Sequence, residues 1–232
     1  MKHRFLPAAV LGAALLAACA PQPPAKPAAE AVPADFPQAY YLQAAAAGKP
    51  VFRIDPSRSL VVVEVRRGGS LSRFGHDHVV ASHDVTGFVA PGEGRSDLYV
   101  ALDRLIVDEP ELRAEAGFDT QPSEADIAGT RRNMLEHVLD AGQYPFALIR
   151  VTNSGEPLLP KLEVAITLHG VTRTQRIAAQ VRIGEEFDVS GRLALDQADF
   201  GITPFSILGG AIQVQDRVEL RFRIHARHIP AG

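Results

Sequence analysis

The stretch Arg217-Val218-Glu219-Leu220-Arg221-Phe222-Arg223-Ile224-His225-Ala226-Arg227 decides the fold class. Val218, Leu220, Phe222, Ile224 and Ala226 fall on one side of an extended backbone, and every residue between them is charged or histidine. That period of two belongs to a strand with one buried and one wet face; a helix would scatter the charges around its circumference. The register is sharply set, because a slip of one residue would bury arginine.

The same alternation recurs on both sides of this segment. Leu162, Val164, Ile166 and Leu168 share one face, and Ile177, Ala179, Val181 and Ile183 share a face of the next strand. The link His169-Gly170-Val171-Thr172-Arg173 between them carries the turn residues of a hairpin. Further strands are predicted at Leu60 to Arg67, Val79 to Val89, Ser96 to Leu102, Ala147 to Asn153 and Phe187 to Leu195, for about eight in all. One segment changes period. Ser123-Glu124-Ala125-Asp126 has the form of a capped helix start, and Ile127, Met134, Leu135, Val138 and Leu139 follow at helical spacing. Glu109 to Ala116 adds a shorter helical turn. The chain is thus mainly β, an antiparallel sheet with a helical insert, without the repeated helices of a doubly wound fold. Eight such strands close into a barrel or pack as a sandwich, and an eight-stranded barrel has room for one small ligand.

The amino-terminal region has a different character. Lys2 and Arg4 precede an apolar run from Leu6 to Ala18, which is about thirteen residues long and rich in alanine. A spanning helix needs roughly 20 apolar residues, so residues 1–18 are predicted to be a secretion signal. Leu16-Ala17-Ala18-Cys19 resembles the bacterial lipobox, which implies lipidation of Cys19. Pro21, Pro23, Pro24, Pro27, Pro33 and Pro37 then mark residues 19–50 as a Pro/Ala-rich tether. Residues 51–232 remain as one domain, long enough to bury a core. The expected location is the periplasm, with the lipid anchor as the membrane contact. Ala20, standing where an aspartate would favour inner-membrane retention, directs the anchor to the outer membrane. Cys19 is the single cysteine, so no intrachain disulfide supports the fold. A formal net charge of -3 and a pI near 6.2 leave no basic footprint for nucleic acid.

The most concentrated chemistry in the domain is Phe74-Gly75-His76-Asp77-His78, with His83 beyond it. On an extended backbone His76 and His78 point to one face and Asp77 and His83 to the other. His76, His78 and Asp77 are therefore candidate ligands for a divalent metal, with His83 or His137 as further donors, since zinc takes three or four protein ligands. The alternative is a turn in which Asp77 bonds local amides and the histidines hydrogen-bond. Ser70 and Ser72 near these residues form no nucleophile elbow, and Gly209-Gly210 lacks the lysine of a phosphate loop and suits a bend.

Phe52-Arg53-Ile54-Asp55-Pro56, Asn133-Met134-Leu135, Val138-Leu139-Asp140 leading to Tyr144-Pro145, Leu168-His169-Gly170-Val171-Thr172-Arg173 and Asp199-Phe200-Gly201-Ile202 occur in this order. Their order and spacing resemble the YceI-like family over about Val51 to Ala226. The resemblance implies an extended, lipocalin-like antiparallel barrel that holds a polyisoprenoid or another long amphiphile in an apolar lumen. It implies no catalysis. The chain departs from the family pattern at Gln197, where many members carry arginine. A second departure is Gly75–His78, where many have Gly-x-Phe. The first departure tells against a fixed cationic partner there, and the second points to a subgroup whose ligand differs from the polyisoprenoid of characterised relatives. The expected function is carriage of a long-chain hydrophobic molecule, contacted by Val218, Leu220, Phe222, Ile224, Ile166 and Leu168. The rival readings are a metal- or haem-related protein using Gly-His-Asp-His and an interaction protein with a filled barrel.

Overall fold

In the computed structural model, which describes residues 32–153 and 161–230, the alternating segment Arg217–His228 is one continuous strand. The signal and the first part of the tether, residues 19–31 with Cys19, lie outside the described residues. Numbered along the chain, the strands are β1 Phe52–Ile54, β2 Leu60–Val65, β3 Arg67–Gly68, β4 His78–Ser82, β5 Val85–Ala90, β6 Arg95–Ala101, β7 Ile106–Val107, β8 Phe146–Asn153, β9 Lys161–Leu168, β10 Val171–Ile183, β11 Glu186–Asp196, β12 Ser206–Ile207, β13 Ile212–Val214 and β14 Arg217–His228.

The ring β1-β5-β6-β8-β9-β10-β11-β14 closes where β14 pairs antiparallel with β1, with Ile54 opposite Ala226. β2 pairs further along β14, with Val63 opposite Leu220, and β4 and β7 extend the wall from there. Closure leaves this ring no open edge. β14 is the seam: one side bonds β11 from Arg217 to Arg227, and the other is shared by β1 and β2.

Val79 to Val89, read as one strand, bends at His83-Asp84 into β4 and β5. At the bend the Asp84 amide donates to the Ser82 hydroxyl at 3.2 Å, a local bond that competes with the ladder. The hairpin link at His169 is tighter than expected, and β10 begins at Val171. His169 and Gly170 carry φ of 52° and 74°, as a two-residue turn between twisted strands demands.

Among the described residues there are three helices: the expected capped insert, the shorter helical segment expected at Glu109 to Ala116, and one that precedes β1. α1, Gln38–Ala46, falls in the stretch assigned to the tether, yet it buries Tyr41, Ala44 and Ala45 against Phe88 and Ala90. The Tyr41 ring stacks on Phe88 at 5.3 Å, and its hydroxyl donates to Asp97 Oδ2 at 2.7 Å. α2, Pro110–Glu115, lays Leu112 over the outer residues Val62, Val79 and Ala81. α3, Glu124–Asn133, starts at the predicted cap: Ser123 and Asp126 bond reciprocally. It continues into one π turn, Met134–Val138. Arg131 fastens α3 by donating to the carbonyls of Asp103 and Leu105.

Candidate functional site: the lumen and its polar end

The inward residues of the barrel leave a cavity of about 750 Å³, within the roughly 300–1,000 Å³ common for ligand pockets. Alternation builds its wall. Val218, Leu220, Phe222 and Ile224 of β14 all line it, as do Ile166 and Leu168 of β9. At one end Phe52, Phe187, Ile224 and Ala226 pack together and Pro91, Arg95 and Ile183 also line the cavity, while the Asp199–Ile202 segment tucks Phe200 and Ile202 against Val164, Ile166 and Ile177. Hydrocarbon walls of this extent offer a ligand dispersion contacts and release from water, with few fixed polar positions.

Apart from Arg95 and Ser96 at that end, the polar positions gather mostly at the other. His76, His78, Arg67, Thr130 and Asn133 line the cavity there. The β4 strand places His78 inward, and behind it His78 Nδ1 donates to Asp108 Oδ2 at 2.6 Å. Asp108, wholly buried at its side chain, also accepts from the Val79 amide at 3.0 Å and from Arg113 Nη1 at 2.5 Å. Burial acts to raise the Asp108 pKa, but the His78 hydrogen bond and charge, the Val79 amide and Arg113 outweigh it and hold the carboxyl below its ordinary range. His78 Nε2 is left toward the lumen, with Thr130 Oγ1 at 3.5 Å. The His76 ring stands 6.1 Å from that of His78, and its buried Nδ1 has no hydrogen-bond partner among the described residues.

His76 and His78 thus share the lumen face as their spacing predicts, whereas Asp77 turns away. The Asp77 carboxylate accepts from the Arg67 amide at 2.8 Å and lies 3.7 Å from Arg67 Nε. His83 pairs with Glu109 at 2.9 Å with its side chain half exposed, and His137 is exposed on the π turn. The expected trio of His76, His78 and Asp77 does not converge, and no group of three His, Cys, Asp or Glu side chains among the described residues gathers to hold a metal. The cause is the strand pleat, which sends adjacent residues to opposite faces. Gln197, also on the wall, donates to the carbonyls of Gln215 and Asp216.

Sequence reasoning missed Asp108, Arg113 and Thr130. A faint signal existed for the first: Asp108 takes φ of 61°, a conformation in which aspartate is enriched, two residues before the proline that opens α2.

A family model for the YceI-like domain matches residues 52–226. The chain belongs to the YceI-like family. No curated protein matches it by sequence. Among solved structures it is similar to a polyisoprenoid binding domain from Saccharophagus degradans implicated in plant cell wall breakdown, at 14% identity and a TM-score of 0.56 over 78% of this chain and 100% of that one. It is also similar to BcnA from Burkholderia cenocepacia, at 14% identity and a TM-score of 0.50 over 74% of this chain and 98% of that one. At such identity the likeness is one of fold. In this YceI-like chain the shared motifs fall at structural joints. Asn133 lines the polar end, Tyr144 packs its ring 4.8 Å from that of His169, and Phe200 is buried against the lumen wall.

Proposed function

We propose that this YceI-like protein binds a long-chain amphiphile, a polyisoprenoid or a fatty chain, with its tail in the lumen and its head beside His76, His78 and Thr130. The observation that carries this reading is the largely apolar cavity of about 750 Å³, with Arg67, His76, His78, Thr130 and Asn133 lining one end of it. Each methylene transferred from water contributes about 0.8 kcal/mol before ordering costs. The polyisoprenoid binding of the Saccharophagus domain supports the chemical class and leaves the chain length open. His78, fixed by Asp108, offers a head group one oriented nitrogen, and the His76 ring lines the cavity beside it.

The cellular setting belongs to the same proposal. The signal and Cys19 make the protein a periplasmic lipoprotein, held by its lipid to the outer membrane. Solvent extraction of the purified protein followed by mass spectrometry tests the central claim. A near-stoichiometric isoprenoid or fatty amphiphile is the expected result. A lumen that carries no lipid, and takes none up when offered polyprenols and fatty acids, would overturn it.

A further inference from the structure

Around the polar end of the lumen the surface is apolar where a protein rim is normally polar. Leu208 is 70% exposed, Phe74 62% and Ile207 45%, and both Phe74 and Ile207 also line the cavity, so outer patch and lumen wall are continuous. The two loops that present them are tied together. β13 pairs with both β12 and β3, the Leu71 amide donates to the Ala211 carbonyl at 2.8 Å, and Gly75 abuts Ile212. The tip is held in an unusual backbone form, with Leu208, Gly209 and Gly210 at φ of 53°, 64° and 88°. From Phe200 through Gln215 no residue is charged. Beside the tip Arg73 is exposed, with its guanidinium 4.7 Å over the Phe74 ring.

We infer that this rim is a bilayer-docking surface: Phe74, Ile207 and Leu208 enter the boundary between head groups and acyl chains while Arg73 meets lipid phosphate. Three features select a lipid surface over a protein partner. The apolar tips protrude from turns and so suit a fluid medium, where a protein partner would need a matching pocket. An uncharged hairpin beside one stacked arginine reproduces the apolar-tip, cationic-flank arrangement of interfacial anchors. The patch also meets the lumen at Phe74 and Ile207, which line the cavity, so a hydrocarbon chain passing between bilayer and cavity has an apolar edge beside the polar groups. The inference goes beyond the proposed binding function and rests on it only for its purpose.

The chain contains no tryptophan, which makes a single introduced indole a clean depth probe in the full chain. Phe74→Trp, Leu208→Trp and, at the far end of the barrel, Ile183→Trp are reconstituted on vesicles of phosphatidylethanolamine and phosphatidylglycerol with brominated acyl chains. Ile183 is the matched control because it is 61% exposed and, like Phe74 and Ile207, lines the cavity, but it belongs to the β10–β11 hairpin at the opposite end. Docking predicts a blue shift and bromine quenching for the first two probes and neither for the third. Adding Leu208→Asp to Phe74→Trp should remove most of the quenching, since losing one buried leucine weakens partition by roughly tenfold or more. Quenching that is absent at the rim, equal at all three sites or strongest at Ile183→Trp would overturn docking. So would a blue shift that grows with protein concentration without vesicles, which would assign the rim to a second copy. Lipid retained in the lumen is measured separately on the same variants. A full lumen with an unquenched rim sinks the docking inference alone, and an empty lumen with a quenched rim sinks the binding proposal alone.

Discussion

Phe222 lies over Gly191. The two are antiparallel partners across β14 and β11, and a Cβ built on the glycine would stand 2.8 Å from Phe222 Cζ. The ring fills the place of the missing side chain and lies along the wall, which leaves the middle of the lumen open. Gly191→Val is expected to push the ring inward, costing about 1–3 kcal/mol for overpacking and lowering the content of co-purified lipid. Phe222→Ala should cost less than the roughly 3–5 kcal/mol of a fully packed aromatic, because one side of the ring faces the cavity, and should also weaken lipid binding. Chemical denaturation and lipid quantification check both, and unchanged midpoint and lipid content in the two variants would contradict the assignment of this pair to the wall.

The contact of Tyr41 with Asp97 makes α1 part of the folded domain. Asp97 is almost fully buried and accepts from Tyr41, Arg95 and Arg150 at 2.7–2.8 Å. Burial and the adjacent carboxylate push the Tyr41 hydroxyl pKa far up, so it remains a donor at any ordinary pH. Tyr41→Phe should destabilise by about 1.5–3 kcal/mol, the range for a hydrogen bond to a charged group. Tyr41→Ala should cost more, because stacking on Phe88 is lost too. If thermal unfolding of both variants matches the wild type, the helix is dispensable.

Acid should weaken the fold through Asp108. Its folded pKa is depressed, so the unfolded state binds more protons and the stabilisation is complete only above the unfolded carboxylate value near 3.9. It is lost as the pH falls through the folded pKa, so the midpoint should decline below about pH 4. Asp97, whose burial is likewise outweighed by Arg95, Tyr41 and Arg150, acts in the same direction. Asp108→Ala leaves the buried Arg113 guanidinium without its carboxylate and should cost about 3–5 kcal/mol at neutral pH. Asp108→Asn should show a shallower loss of stability between pH 5 and 2 than the wild type. Parallel pH profiles for the two proteins would remove Asp108 from this role.

Lipidation at Cys19 predicts that Cys19→Ala releases the protein from membrane fractions while its unfolding transition is preserved. Metabolic labelling with a fatty-acid analogue is the direct measurement. Equal labelling of wild type and variant would end the lipoprotein proposal.

The division between what was legible early and what was not follows from the range of the forces involved. The period of two in Val218, Leu220, Phe222 and Ile224 determined by itself that β14 is a strand and which side faces inward, because adjacent residues on a pleat have no other choice. It also put His76 and His78 on one face. The capping box at Ser123 is equally local and was readable. The alanines of α1 gave no such signal, since their burial depends on Phe88 and Ala90, which lie more than 40 residues further along the chain. Asp108 joins His78 across 30 residues of sequence, and no spacing rule links them. Only the closed barrel, which brings β7 beside β4 and holds Asp108 in a left-handed backbone, decides that the histidine points a fixed imidazole into the lumen and that Asp77, its neighbour, does not.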